Sequence, residues 1–195
     1  MTLYKNRDKF SGVSQAVGRK FAFAPANAYT ALALVLAAAA AYFIANGRFL
    51  PAAVLFAVAA FFDMVDGAVA RRRKEAGKRG AYLDSVSDRY VEAVLAFGLL
   101  FAVLPYFYVP AYFWIALYLF GSMMTTYARA VAAEKSISKD LRGGLLERGD
   151  RMILLFIGLI LGVVSPLYLI YVLAALAILS NVSALQRISI ALGKK

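Results

Sequence analysis

Six apolar runs, most of them about 20 residues long, constrain the fold of this chain more than any other feature. A helix that crosses a bilayer needs about 20 mostly apolar residues, and the chain is 63% hydrophobic and 17% charged. We therefore predict an all-α integral membrane protein, one domain over residues 1–195, with six transmembrane helices. Their approximate bounds are Asn27–Asn46, Leu50–Ala70, Tyr82–Leu104, Pro110–Ala132, Met152–Val164 and Leu167–Ile188.

The segment before the first run differs from the rest. It is polar and basic, and its apolar residues recur at helical spacing, so a helix here would have one apolar side. The sequence predicts an amphipathic juxtamembrane helix over residues 1–24, with a core from about Thr2 to Phe23. Its apolar side would carry Phe10, Val13, Val17 and Phe21.

The net charge of +11 is distributed as expected for a membrane protein. Lys and Arg lie before the first run, between the second and third, between the fourth and fifth, and after the sixth. Only Arg48 falls in a loop on the opposite side. Cytoplasmic loops carry the excess of cations, so we expect both termini and the charged loops to face the cytoplasm, against the anionic lipids of the cell membrane. Because orientation accounts for the charge, we expect no nucleic-acid partner.

The residue inventory narrows the chemistry. The chain has no cysteine and no histidine, which excludes disulfides, thiolate catalysis and the commonest general base. Proton transfer would fall to carboxylates, Lys or Tyr. A metal would be held by oxygen ligands, which favours Mg²⁺, Mn²⁺ or Ca²⁺.

Four aspartates stand at the ends of the second and third runs. Asp63 and Asp66 are spaced i, i+3, and Asp84 and Asp88 are spaced i, i+4, so each pair lies on one face of its helix. The connecting loop is short, and we expect the two helices to be antiparallel neighbours whose four carboxylates converge. Carboxylates at a membrane edge are costly and usually functional, and one or two divalent cations would offset their repulsion. The alternative is that they form salt bridges with Arg71, Arg72, Arg89 or Arg129.

Small and cationic residues lie between the two aspartate pairs. Gly67 leaves the helix surface bare beside Asp66, and Arg71, one turn further on, has a guanidinium group that binds phosphate bidentately. Gly77 and Gly80 are expected to let the loop turn tightly. A metal, an arginine and a bare glycine together favour a pyrophosphate ligand.

The stretch from Asp63 to Asp88 resembles the signature of the CDP-alcohol phosphatidyltransferases, D-x2-D-G-x2-A-R-x8-G-x3-D-x3-D. All eight fixed positions match over 26 residues, and the six-run hydropathy profile is similar to the six-helix fold of that family. Upstream, "FAPANAYT" looks like the family's P-N-x-x-T segment, with Ala26 inserted between Pro25 and Asn27.

The resemblance implies specific roles. Two Mg²⁺ or Mn²⁺ ions would be held, one by Asp63, Asp66 and Asp84 and the other by Asp63, Asp84 and Asp88. Asp88 would also be the general base that deprotonates an acceptor hydroxyl. A CDP-linked lipid, either CDP-archaeol or CDP-diacylglycerol, would be bound by Asn27, Gly67, Arg71, Gly77 and Gly80. Family members are commonly homodimers, which implies the same assembly here.

Two further stretches bear on the acceptor. "LDSVSDRY" and "GGLLERGDRM" look like the D-S-x-x-D-R and E-R-x-x-R segments of family members that use inositol phosphate. A second set of cations would bind the phosphate of such a phosphorylated polyol; it comprises Arg129, Lys135, Arg148, Arg151 and Arg187. The alternative is that these cations only set the orientation of the chain in the membrane and contact anionic lipid headgroups.

The sequence leaves alternatives open. We expect transfer of a phosphatidyl or archaetidyl group to inositol 1-phosphate with release of CMP. Glycerol 3-phosphate is the alternative acceptor within the family. A small cation transporter that uses the aspartates as an ion path is the alternative from another class, although such a path needs polar groups through the whole membrane thickness.

Overall fold

A computed structural model describes residues 16–73, 75, 77–137 and 144–193, and within them the chain forms long helices. Each apolar run of the sequence corresponds to one long helix. They are α1 (Ala26–Ala45), α2 (Phe49–Arg72), α3 (Lys78–Phe101), α4 (Ala111–Glu134), α5 (Arg148–Val164) and α6 (Pro166–Gly193). The all-α prediction is confirmed for this part of the chain.

Some helix bounds differ from the predicted spans. α3 begins at Lys78 and α5 begins at Arg148, so both include charged residues that the apolar runs exclude, while α6 continues to Gly193. Three helices, α1, α2 and α6, are long and apolar enough to cross a membrane by length and composition. The first turns of α3 are charged and α5 has only 17 residues, so the structure supports three of the six predicted spans on this criterion.

The bundle is organised around α1 and α6. α2 and α3 both pack against α1, while α4 and α5 both pack against α6. α2 and α3 approach each other where their aspartates lie, and both have α1 as their chief packing partner. The reason is that alanines such as Ala37 and Ala40 on α1 are fully buried, and small side chains let two other helices approach one helix closely.

The loop before α5 is fixed by specific hydrogen bonds. Glu147 caps α5 in a reciprocal capping box with Asp150, an arrangement that satisfies backbone N–H groups at a helix start. The N–H of Leu146 donates to Ser183 Oγ at 2.8 Å, and that of Leu145 donates to Gln186 Oε1 at 2.9 Å. These contacts tie the loop to α6 and set the register of the first turn of α5.

The N-terminal segment is described from residue 16, and residues 16–20 are helical. The predicted juxtamembrane positions Phe10 and Val13 lie outside the described residues. Val17 and Phe21 pack against a cluster that includes Tyr29 and Val65, so this part of the predicted apolar side faces the bundle. Tyr29 Oη also donates a hydrogen bond to the backbone oxygen of Phe21 at 2.8 Å.

A close contact between the backbones of α3 and α1 gives a test of the packing. A Cβ added at Gly98 on α3 would lie 2.6 Å from the backbone oxygen of Ala41 on α1. We expect Gly98→Ala to lower the midpoint of thermal unfolding in detergent, because an overpacking cost of about 1–3 kcal/mol outweighs the gain of about 1 kcal/mol in helix propensity. Gly193→Ala is the matched control, since no atom lies within 4 Å of its added Cβ. Equal midpoints for the two variants would contradict this packing.

Candidate active site

Three of the four aspartates form one compact group. Carboxylate oxygens of Asp63 and Asp66 on α2 and of Asp84 on α3 all lie within 4.8 Å of one another. Thr30 on α1 donates a hydrogen bond to Asp66 Oδ2 at 2.6 Å, which fixes the orientation of that carboxylate. Such a set of oxygen ligands fits a hard divalent cation, whose charge would offset the repulsion among the aspartates.

Asp88 belongs to a different local arrangement. Its Oδ1 lies 2.6 Å from Arg148 Nη1, and the same nitrogen lies 3.3 Å from Asp63 Oδ2. Arg148 thus bridges the two aspartates. The alternative of salt bridges is therefore realised for Asp63 and Asp88, but through a residue of α5 that is not among the four arginines predicted for it.

A first cavity, of about 550 Å³, opens beside the aspartate group. All five residues predicted to bind the CDP moiety line it, together with Thr30, Asp66 and Asp84: Asn27, Gly67, Arg71, Gly77 and Gly80. A Cβ added at Gly67 would lie 3.4 Å from Arg71 Nη1, so the glycine leaves room beside the guanidinium group.

Of the two glycines predicted to lie in the loop, one does and the other lies in α3. Gly77 is extended and immediately precedes α3, whereas Gly80 lies in the first turn of that helix. The prediction that Gly80 lets the loop turn is therefore wrong, because α3 begins four residues earlier than the apolar run at Tyr82. Both glycines still lie in the wall of the first cavity.

A second cavity, of about 270 Å³, has Asp88 in its wall. Five arginines contribute to its lining, four of which the sequence predicted to bind an acceptor phosphate: Arg129, Arg148, Arg151 and Arg187, with Arg89 as the fifth. Lys135 is not among the lining residues. Its Nζ lies 3.2 Å from Glu134 Oε1, and both side chains are about two-thirds exposed (65% and 68%), because Glu134 is the last residue of α4 and Lys135 follows it.

Two of these guanidinium groups have unmet hydrogen-bonding capacity. Among the described residues, Nε of Arg89 and Nε of Arg148 are buried without a hydrogen-bond partner. Buried donors without partners are rare in folded proteins, and both belong to residues that line the second cavity. An anion with several acceptor oxygens, such as a phosphate group, fits this site.

A buried ionic network supports the second cavity, and our sequence reasoning missed it. Glu92 on α3 is fully buried and forms ion pairs with Arg89 at 2.7 Å and Arg151 at 2.9 Å. Tyr118 on α4 donates a hydrogen bond to the same carboxylate at 3.0 Å. The available signal was a glutamate inside an apolar run, one helical turn beyond Asp88, where an ionisable residue indicates function.

Comparison with known proteins agrees with this geometry. The model of the family described as CDP-alcohol phosphatidyltransferase matches residues 23–188. The chain is 37% identical over 138 residues to the archaetidylinositol phosphate synthase of Pyrococcus horikoshii, covering 70% of this chain and 67% of that protein. It is 30% identical over 164 residues to the synthase of the same name from Methanothermobacter thermautotrophicus, covering 84% of this chain and 80% of that protein.

Solved structures of one protein share the fold. The phosphatidylinositol phosphate synthase PgsA1 of Mycobacterium tuberculosis, in complex with manganese and citrate, superposes with a TM-score of 0.80 at 25% identity over 92% of this chain and 89% of that one. The form with CDP-DAG bound gives a TM-score of 0.82 at 24% identity, over 93% of this chain and 94% of that one.

Metal binding by the aspartate group is directly testable. We expect Asp84→Asn to weaken Mn²⁺ binding by at least about 10–100-fold, the usual loss when even a supporting partner of a metal ligand is removed. The measurement is isothermal titration of Mn²⁺ into the purified protein without substrate. Asp150→Asn is the matched control, because Asp150 caps α5 and lies outside the group. Unchanged affinity in Asp84→Asn would place the metal elsewhere.

Proposed function

This chain belongs to the CDP-alcohol phosphatidyltransferase family, and we propose that it transfers the phosphatidyl or archaetidyl group of a CDP-linked lipid to a hydroxyl of inositol 1-phosphate, with release of CMP. It is a membrane protein and a CDP-alcohol phosphotransferase, as its family and its apolar helices show. The observation that carries the choice of reaction is the position of Asp88, in the wall of an arginine-lined cavity and one turn from the aspartate group.

The first cavity is the proposed site of the CDP moiety. Its lining combines a bare glycine surface at Gly67 with the guanidinium group of Arg71, and it is open to Asp66 and Asp84. A nucleotide pyrophosphate needs close approach to the backbone and a cation that contacts several oxygens. Asn27, Gly77 and Gly80 complete the proposed nucleotide contacts.

The second cavity is the proposed site of the acceptor. A phosphomonoester carries a charge of about −1.5 to −2 at pH 7, which suits a wall of arginines with unpartnered donors at Arg89 and Arg148. Arg129, Arg151 and Arg187 complete the proposed phosphate site. The relatives named as archaetidylinositol phosphate synthases favour inositol 1-phosphate among phosphorylated polyols.

Asp88 is the proposed general base. An acceptor whose phosphate is held by the arginines places its hydroxyl near the Asp88 carboxylate, which accepts the proton as the hydroxyl oxygen attacks the phosphorus next to the lipid. The bond from that phosphorus to the CMP oxygen breaks, and Arg71 stabilises the charge that develops on CMP. A carboxylate suffices for this step, in agreement with the absence of histidine.

The aspartates are the proposed ligands of two Mg²⁺ or Mn²⁺ ions. Asp63, Asp66 and Asp84 would hold the first, and Asp63, Asp84 and Asp88 the second. The bound ions would supply positive charge that offsets the negative charge of the pyrophosphate. A manganese-bound form of the M. tuberculosis synthase supports a divalent ion of this kind. Arg148 contacts both Asp63 and Asp88. The second ion would therefore take the place of the Arg148 guanidinium group as the cation next to these two carboxylates.

We further propose that all six long helices cross the cell membrane, with both termini and the active site on the cytoplasmic side. α3 and α4 each have 24 residues, and at about 1.5 Å per residue such a helix spans a hydrocarbon core of about 30 Å. The cations cluster at the end of the bundle that carries the aspartates, which supports this orientation. A homodimer is proposed from the family resemblance.

A panel of acceptors tests the reaction. With purified protein, CDP-lipid and Mn²⁺, we expect inositol 1-phosphate to support CMP release with a kcat/KM at least about 100-fold above that of free inositol. The reason is that free inositol has no phosphate to contact the buried arginines. Glycerol 3-phosphate controls for phosphate alone, without the inositol ring. CMP release with glycerol 3-phosphate but not with inositol 1-phosphate would overturn the proposed acceptor.

Replacing the proposed base gives a second test. We expect Asp88→Asn to lower kcat by about 10²–10⁴-fold, the usual contribution of a general base. CMP release, followed by chromatography, measures the effect, and Glu134→Gln serves as the control, because it removes an exposed carboxylate that lines neither cavity. Substantial turnover in Asp88→Asn would assign the base to another group.

A further inference from the structure

Glu92 is the one carboxylate of the described α3 that neither the family signature nor the proposed mechanism uses. It lies one helical turn beyond Asp88, and its exposed fraction is 0%. It is not part of the lining of either cavity described above. Any influence of Glu92 on the reaction must therefore act through other residues.

Three side chains from three helices contact this carboxylate, two through hydrogen bonds and one through an ion pair. Arg151 on α5 donates from Nε to Oε1 at 2.9 Å and from Nη2 to Oε2 at 3.4 Å. Arg89 on α3 places Nη1 2.7 Å from Oε2. Tyr118 on α4 donates its hydroxyl proton to Oε1 at 3.0 Å. Glu92 thus joins α3, α4 and α5 at one buried point.

The partners of Glu92 are residues of the proposed acceptor site. Arg89 and Arg151 both line the second cavity. Arg151 also donates to Thr125 Oγ1 at 3.4 Å, and Arg187 donates to the backbone oxygen of Thr125 at 2.8 Å. A continuous set of contacts therefore runs from Glu92 to the far wall of the cavity.

Electrostatics explain why a buried anion is placed there. Five guanidinium groups around one small cavity repel one another, and desolvation strengthens that repulsion. Glu92 lies behind two of them and holds them from the side away from the cavity. Because Arg89 and Arg151 share one carboxylate, the three groups together keep a net positive charge that can attract an anionic ligand.

We propose that Glu92 is a positioning residue for the acceptor phosphate: it holds Arg89 and Arg151 in the geometry that binds a phosphomonoester. A buried ion pair is weak evidence for stability, whereas a carboxylate shared by two cavity arginines on different helices fixes their relative position. This inference rests on the proposed function, since it requires that the second cavity bind a phosphorylated acceptor.

The test separates binding of the two substrates. We expect Glu92→Gln, which keeps the shape but removes the charge, to raise the KM for inositol 1-phosphate by about tenfold, as expected for loss of a charge-assisted contact. The KM for CDP-lipid should stay within about twofold, because the first cavity has no contact with Glu92. Glu92→Asp retains the charge and should show an intermediate KM for the acceptor.

Two controls address a purely structural role. Tyr118→Phe removes one neutral donor from Glu92 and should change the acceptor KM by less than the charge-removing variant does. Ser180→Ala alters another buried polar group, one without a hydrogen-bond partner in the structure, and should leave both KM values unchanged. Equal changes in the KM values for acceptor and CDP-lipid, or no change in either, would overturn the proposal.

The remaining outcomes are also decisive. If Glu92→Gln does not fold, an acceptor KM in Glu92→Asp equal to that of the unmodified protein would overturn the proposal, and a selective increase would support it. If the unmodified protein uses glycerol 3-phosphate in place of inositol 1-phosphate, the proposed acceptor fails, and the same comparison made with glycerol 3-phosphate still tests Glu92. Use of an unphosphorylated acceptor alone would overturn both.

Discussion

Repulsion among closely spaced carboxylates is the interaction on which the rest of this structure depends. Oxygens of Asp63, Asp66 and Asp84 lie within 4.8 Å of one another at the end of apolar helices, where unpaired negative charges are costly. The fold enforces this approach by packing both acidic helices against α1, which also supplies the Thr30 hydrogen bond to Asp66. An arrangement that costs so much without a counter-ion is well suited to binding a divalent cation, and to placing it beside a cavity large enough for a nucleotide.

The second cavity has the opposite charge. Arginines from α3, α4, α5 and α6 surround it, and the loop that precedes α5 is held to α6 by backbone hydrogen bonds to side chains. The two regions meet at the contact between Arg148 and Asp88. A donor with a metal-bound pyrophosphate and an acceptor with a phosphate can therefore be held by separate groups, with the proposed base between them. In the proposed reaction, separate binding groups would lower the repulsion between the two anionic substrates.

Much of the site could be predicted because its signals are local. The i, i+3 and i, i+4 spacings of the aspartates place each pair on one helix face whatever the rest of the chain does, and the helices form where the apolar runs are. Predictions that depended on the exact start or end of a helix were less accurate. Gly80 was assigned to a loop, although it lies in α3, and Lys135 was assigned to the cavity, although it lies beyond the last turn of α4. In both cases charged residues extend a helix beyond its apolar run.

The sequence by itself determined the helical elements, the acidic residues that form the aspartate group and the five residues that line the first cavity beside it. The tertiary structure decided which charges pair with which. Arg148 reaches Asp63 from 85 positions along the chain, and Arg151 reaches Glu92 from 59. Periodicity reports only contacts within one helix, whereas ion pairs between helices depend on how those helices pack. The packing in turn is set by small residues such as Gly98, whose role becomes visible only when the opposite helix is in place.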